Sequence, residues 1–296
     1  MGARPPRRPP GGSVDRLTNP ELARLHPTGG HPERQDRLLG LGGETVDRHA
    51  TEEQLLRVHS ADYLALLRAI DRPVLLDADT VASQTSWQGA TLAVGITLEA
   101  VDRGGFALVR PPGHHALTDR AMGFCLLGNI AVAARYAQAE LGLARVAIVD
   151  FDVHHGNGTE AMFRGDDSVL FVSLHQWPFY PGTGGPGTSD ATTLNLPLPA
   201  GSGDEAYLRA FEDEVVPAVQ AFGPDLVLVS AGFDAHEEDP LAEMEVTEAG
   251  FRELARGCGA LAPRLAAVLE GGYNLATLPR LVAAAEEGFS ERRTAG

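Results

Sequence analysis

Along this chain, short and almost wholly apolar runs alternate with longer segments whose apolar positions recur every three or four residues. The runs are Phe106–Val109, Val146–Val149, Val169–Val172, Leu226–Val229 and Leu265–Leu269, with a further strand expected at Thr193–Leu196. Runs of this length suit strands buried on both faces, as in a parallel sheet covered by helices. The segments between them, Ile130–Leu141, Glu205–Phe222 and Thr247–Leu261, are long enough to be crossover helices. Nearer the N-terminus, Thr51-Glu52-Glu53 reads as a helix start, with a capping hydroxyl and acids in the first turn. Ser60–Ile70 and Ser83–Asp102 carry helical spacing. The pattern predicts an α/β fold.

Each run gives way to polar and reactive residues. Phe106–Val109 leads into Arg110-Pro111-Pro112-Gly113-His114-His115, and Val146–Val149 into Asp150-Phe151-Asp152-Val153-His154-His155. Val169–Val172 leads to Ser173-Leu174-His175 and on to Phe179-Tyr180-Pro181-Gly182-Thr183-Gly184. Leu226–Val229 leads to Ser230-Ala231-Gly232-Phe233-Asp234, and Leu265–Leu269 to Glu270-Gly271-Gly272-Tyr273. In open α/β sheets, ligands bind beyond the carboxyl ends of the strands. These runs therefore deliver His, Asp, Gly and Tyr to one rim.

Asp152 and His154 are two residues apart at a strand end, so both side chains face the same way. Taken alone, that spacing also suits a simple hydrogen-bonded pair. With Asp234 from another strand end, it makes three N/O ligands and leaves a position open, as in a catalytic zinc site. The absence of thiolate selects a hard or borderline metal. Such a metal lowers the pKa of a bound water from about 15.7 to about 7. Amide attack further needs a base for the water and an acid for the leaving amine. The adjacent pair His114 and His115 suits that task if each ring has an acceptor for its second nitrogen, for which Asp150 and Asn157 are candidates. A His-His pair in a solvated loop is the plainer alternative. Tyr273 comes after two glycines that let the backbone approach a ligand, and its hydroxyl could serve an oxyanion; an ordinary core tyrosine is the plainer reading.

Composition narrows the classes. Apolar residues make up 44% and charged residues 22%, an ordinary globular balance. A formal net charge of −16 argues against nucleic-acid binding and suits cationic ligands, or simply solubility. All the basic residues are Arg, so the chain has no side-chain amine of its own to be acetylated. Cys125 and Cys258 form no CxxC pair, which fits a reducing compartment such as a bacterial cytoplasm. Residues 1–16 start basic but lack an apolar stretch; they read as a disordered extension, neither signal peptide nor membrane span.

Taken in order, His31-Pro32-Glu33-Arg34, Arg110 to His115, Gly123-Phe124-Cys125, Asp150 to Gly158, Phe179 to Gly184, Ala231 to Leu241 and Glu270 to Asn274 resemble the zinc-dependent histone deacetylase family. The likeness is closest to the class II and bacterial deacetylase-like branch and runs from about His26 to Leu281. It implies a single catalytic domain over residues 17–296 with the arginase/deacetylase fold, an eight-stranded parallel sheet flanked by helices. It implies one Zn2+ per chain on Asp152, His154 and Asp234. His114 and His115 would be the acid/base pair, with His115 the base; Asp150 would orient His114, and Asn157 would orient His115. Tyr273 would polarise the acetyl carbonyl. Phe124 and Tyr180 would wall a tunnel, the carbonyl of Gly123 would accept the substrate amide N–H, and Gly272 and Leu241 would lie against the substrate. A structural K+ near Asp150, Asp152, His154, Ser173 and Leu174 is also implied.

The implied substrate is acetylated lysine in a protein or peptide, or else an acetylated polyamine or other small amine. Leu241 stands where polyamine-preferring relatives can carry an acid, which leans toward acyl-lysine, although Asp77, Asp79, Glu237 or Glu238 could supply rim acids. Three positions depart from common patterns: Tyr180 where Phe is frequent, Gly128 where Asn is frequent, and Asn157 where class I members have Asp. An arginase-like reading would need a bridging carboxylate where His155 stands. A non-catalytic binding module would be expected to lose Tyr273, a ligand or the His pair.

Overall fold

In the computed structural model, residues 14–291 are described, and ten strands form within them. They are β1 (Arg16–Thr18), β2 (Glu44–Thr45), β3 (Val74–Leu75), β4 (Val81–Ala82), β5 (Phe106–Ala107), β6 (Val146–Asp150), β7 (Val169–Gln176), β8 (Thr193–Leu198), β9 (Leu226–Ala231) and β10 (Leu265–Leu269). Eight of them make one sheet in the order β2-β1-β5-β10-β9-β6-β7-β8, and β3 pairs with β4 in a small hairpin. Every pairing in the large sheet is parallel.

Alternation along the central strands builds two cores, one on each face. Val146 and Ile148 of β6, Leu226 and Leu228 of β9, and Ala266 and Val268 of β10 face one cluster, with the helices Ser86–Arg103 and Asn129–Leu141. Ala147, Val149, Val227, Val229, Leu265 and Ala267 face the other, with the helices Glu248–Gly259 and Leu278–Ser290. Burial on both faces explains why these strands read as continuous apolar runs.

The strand order also locates the site. From β6 the chain moves outward through β7 and β8, then returns to place β9 on the opposite side of β6. That reversal is a topological switch point, where the loops leaving adjacent strands part and open a crevice. Asp152 and His154 leave β6, and Asp234 leaves β9.

Local signals act as the residue types predict. Thr51 caps its helix through a reciprocal box with Gln54, and the Ser60 hydroxyl accepts from Tyr63 N–H. Three expectations need correction. The segment Glu205–Phe222 is not one α-helix: a π-helical turn at Phe211–Val215 separates Asp204–Ala210 from Val216–Phe222. Pro217 has no N–H for the carbonyl four residues back, so the ladder must rearrange there. The strand expected over Phe106–Val109 pairs only at Phe106–Ala107, because the chain leaves the ladder for the site. The N-terminal extension cannot reach residue 16: Arg16 lies in β1, Val14 is buried, and its N–H donates to Ser290 Oγ. Residues 1–13 lie outside the described residues.

Candidate active site

Asp152, His154 and Asp234 are buried, with ligand atoms within 4.8 Å of one another. His154 Nδ1 lies 3.1 Å from Asp152 Oδ1 and 3.1 Å from Asp234 Oδ2. Backbone donors hold the carboxylates. Val153 N–H donates to Asp234 Oδ1 and Gly271 N–H to Asp152 Oδ2. Glycine is required beside them: a Cβ on Gly232 would lie 2.1 Å from Asp152 Oδ2, and one on Gly271 would lie 2.0 Å from Asp234 Oδ2.

Two facing carboxylates buried from solvent are costly without a cation. The charges show it. Burial and the Asp152 charge push the Asp234 carboxyl up. Burial also opposes ionisation of Asp152, but His114 and His154 overcome it and hold that carboxyl far below its usual range. His154 resists charging through burial, yet the two aspartates raise it to about 10. A donor set of two oxygens and one imidazole nitrogen, converging in this field, fits a divalent metal such as zinc.

The His pair lies beside this set, its ring centroids 4.0 Å apart. His114 Nδ1 is 3.0 Å from Asp150 Oδ2, and His115 Nδ1 is 2.7 Å from Asn157 Oδ1. Their environments push them apart. On His114, burial is outweighed by Asp152 and Asp150, and the pKa rises well above 6.5. On His115, burial and the neighbouring imidazoles of His114 and His154 act together and lower it well below 6.5. Paired groups with opposed shifts are the mark of an acid and a base in one site.

Aromatic rings surround the pair. Tyr180 meets His115 edge to face at 5.3 Å and His154 at 6.0 Å, and Phe179 stacks on His154 at 5.2 Å. Phe124 meets Tyr273 at 5.7 Å. Phe124 is the one non-glycine residue among those described with positive φ, at 68°, beside Gly123 at 54°. A Cβ on Gly123 would lie 2.4 Å from the His115 ring. Strain of this kind persists only where the surroundings hold it. Asp77 and Thr80 do so, accepting the N–H groups of Gly123 and Phe124. These bonds bring Asp77, one of the candidate rim acids, next to the aromatic wall.

Tyr273 is half-buried, and burial and the charge of Asp234 push its hydroxyl well above 10. Gly272 precedes it with φ +115°. Ser173 pairs across the sheet with Asp150, and its hydroxyl lies 3.0 Å from His175 Nδ1. Leu241 is half-buried and tied by its N–H to Asp239, away from the His pair's own hydrogen bonds. The exposed Glu238 is paired with Arg280.

Several residues that shape the site were not singled out from the sequence. Arg37 donates to the carbonyls of Glu270 at 2.5 Å and Gly272 at 2.7 Å. Glu270 accepts the N–H of Gly113 at 2.6 Å and of His114 at 3.2 Å. Arg110 makes a two-pronged pair with buried Glu33 at 2.8 Å each. His155 bridges Thr183 and Glu160, holding the loop that carries Phe179 and Tyr180. Motif membership was the sequence signal for Glu33, Arg110, His155 and Glu270, and Arg37 had none; apart from Glu160, five residues from His155, their partners lie 28 to more than 200 residues away.

The chain is similar to known proteins over most of its length. A profile described as the histone deacetylase domain matches residues 25–289. "Histone deacetylase 10, chloroplastic" of Oryza sativa subsp. japonica is 46% identical over 79% of this chain, which spans 60% of that protein's length. A "histone deacetylase-like amidohydrolase" of Pseudomonas aeruginosa is 40% identical over 83% of this chain and 70% of its own. The crystal structure of the HDA15 HD domain superposes with a TM-score of 0.88 at 36% identity, covering 96% of this chain and 90% of that one.

Proposed function

The chain belongs to the histone deacetylase family, and from that premise we propose that it is a zinc-dependent hydrolase that removes the acetyl group from N-acetyl-lysine in proteins or peptides. The observation that carries this reading is the buried Asp152–His154–Asp234 set beside a His pair whose rings are separately oriented by Asp150 and Asn157. Asp152, His154 and Asp234 would hold the zinc, with a K+ at Asp150, Asp152, His154, Ser173 and Leu174. When bound, the zinc ion supplies Lewis acidity and acidifies a water at neutral pH.

The residues of the chain supply the rest. His115, kept neutral by burial and by its imidazole neighbours, accepts the proton of the attacking water. The Asn157 side-chain oxygen fixes its tautomer by taking the Nδ1–H. His114, held as a cation by Asp152 and Asp150, stabilises negative charge building on the carbonyl. Tyr273 donates its hydroxyl hydrogen to that oxygen. The proton then passes to the leaving nitrogen as the C–N bond breaks, giving acetate and the free amine. Phe124 and Tyr180 line the path of an aliphatic chain, and the carbonyl of Gly123 takes the amide N–H.

A paired turnover assay tests this on the zinc-loaded protein, with an acetyl-lysine peptide and an acetylated polyamine, each with and without a chelator. Faster, chelator-sensitive turnover of the peptide is expected. The reverse ranking would make the protein a polyamine or small-amine deacetylase with the same chemistry, and turnover indifferent to chelator would overturn the zinc reading.

A further inference from the structure

Tyr273 sits in an irregular loop after β10, next to a glycine with φ +115°, so no regular element fixes its backbone. Side chains from elsewhere fix it instead. The Arg37 guanidinium lies 4.9 Å from the centre of its ring, and Phe124 meets its edge. Arg37 also donates to the Gly272 carbonyl at 2.7 Å, the oxygen end of the peptide bond to Tyr273. The group on its nitrogen end is Asp239, which is 8% exposed and comes from the loop after β9. Its Oδ2 accepts the Tyr273 N–H at 2.7 Å, and its Oδ1 accepts the Leu241 N–H at 3.0 Å. One residue earlier, the carbonyl of Glu238 accepts from Asn274 Nδ2 at 2.8 Å. The two loops are thus joined at consecutive positions, with the carboxylate as the buried link.

We infer that Asp239 is a positioning residue: its carboxylate anchors the backbone of Tyr273 and sets where the phenol hydroxyl meets the reacting carbonyl. This rests on the role proposed for Tyr273. The lever is long. A phenol oxygen lies about 6.5 Å from its Cα, so a backbone tilt of about 10° moves it by about 1 Å, and a misplacement of that size can cost ~100-fold in rate. Only a group with two acceptor oxygens serves both N–H groups. Asn at this position would turn an NH2 toward one of them, setting donor against donor. The same carboxylate fixes Leu241, so the anchor also ties the chemical residue to the neighbouring loop.

The test is a double-mutant cycle on the zinc-loaded protein with the acetyl-lysine peptide: Asp239→Asn, Tyr273→Phe and the double variant. Metal content and melting temperature are measured for each. Asp239→Asn is expected to lower kcat ~10- to 100-fold with KM changed less than ~3-fold and zinc content unchanged. In the Tyr273→Phe background the same substitution should cost less than ~3-fold. Additive losses, or a wild-type kcat in Asp239→Asn, overturn the inference while leaving the role of Tyr273 standing. Full activity in Tyr273→Phe overturns both. If Asp239→Asn folds poorly, Asp239→Ser, which keeps one acceptor, enters the same cycle with the same criteria.

Discussion

Gly271→Ala probes the metal-holding geometry without touching a proposed ligand. A methyl group there would lie 2.0 Å from Asp234 Oδ2 and 2.6 Å from Asp152 Oδ2. Ordinary contact begins near 3.4 Å, so at least one carboxylate must retreat by about 1 Å, or the backbone must move and stretch the 2.8 Å bond from Gly271 N–H to Asp152. Metal–ligand distances tolerate about 0.2 Å. Disturbing groups that orient ligands costs ~10- to 100-fold in metal affinity, or about 1.4–2.7 kcal/mol. Two ligands are displaced here, so the upper end is expected. Overpacking should cost the fold about 1–3 kcal/mol besides. The assay is zinc retention during dialysis against graded chelator, with melting curves recorded with and without added zinc. Zinc should raise the melting temperature of the wild type and do so far less for Gly271→Ala. Gly30→Ala, where a Cβ meets nothing within 4 Å, is the control. Stoichiometric zinc held at wild-type affinity by Gly271→Ala would refute the assignment of Asp152 and Asp234 as a converging pair.

Three further outcomes are expected. Asp234→Ala should lose metal, and zinc retained at one equivalent by elemental analysis would remove Asp234 from the ligand set. Glu33→Gln should destabilise the fold by about 3–5 kcal/mol in urea unfolding, since it leaves the buried Arg110 without its counter-charge; a loss under about 1 kcal/mol would contradict this. Burial works against the Glu33 charge, but Arg110, His26 and Arg37 hold its pKa down to about 2, so its stabilisation is present above pH 4.5 and lost as pH falls toward 2. Acid should also weaken the fold earlier through His59, which is lowered to about 4 by burial and is placed to accept the Gly128 N–H on Nε2 while Nδ1 faces the Leu117 carbonyl. Between pH 6.5 and 4 the unfolded chain holds the extra proton, so stability falls as pH drops, by up to about 1.4 kcal/mol per pH unit for this group. His59→Gln should flatten that slope, and an unchanged slope would assign it elsewhere.

How much of this was legible in the sequence depends on how local each signal is. The central strands and the polar residues at their ends could be read directly, because burial on both faces writes a continuous apolar run and a strand end fixes which side chains point together. Asp152 and His154 belong to that class. The strands β1 and β2 escaped notice: Arg16–Thr18 and Glu44–Thr45 are too short to carry a period. The π turn at Phe211–Val215 hides in a segment whose helical spacing continues through it.

By itself, then, the amino-acid sequence determined the α/β class, the strand ends that bear reactive groups, and the family. Tertiary structure alone decided how those groups act on one another. The opposed proton affinities come from burial, which Asp152 and Asp150 outweigh on His114 and which the imidazoles of His114 and His154 reinforce on His115. The hold on Tyr273 comes from Asp239, 34 positions earlier, and from Arg37, whose guanidinium binds a carbonyl 235 positions away. Spacing along a chain records only neighbours within a turn or a strand. Burial, field and contact between loops exist only once the sheet has brought its carboxyl ends to one crevice.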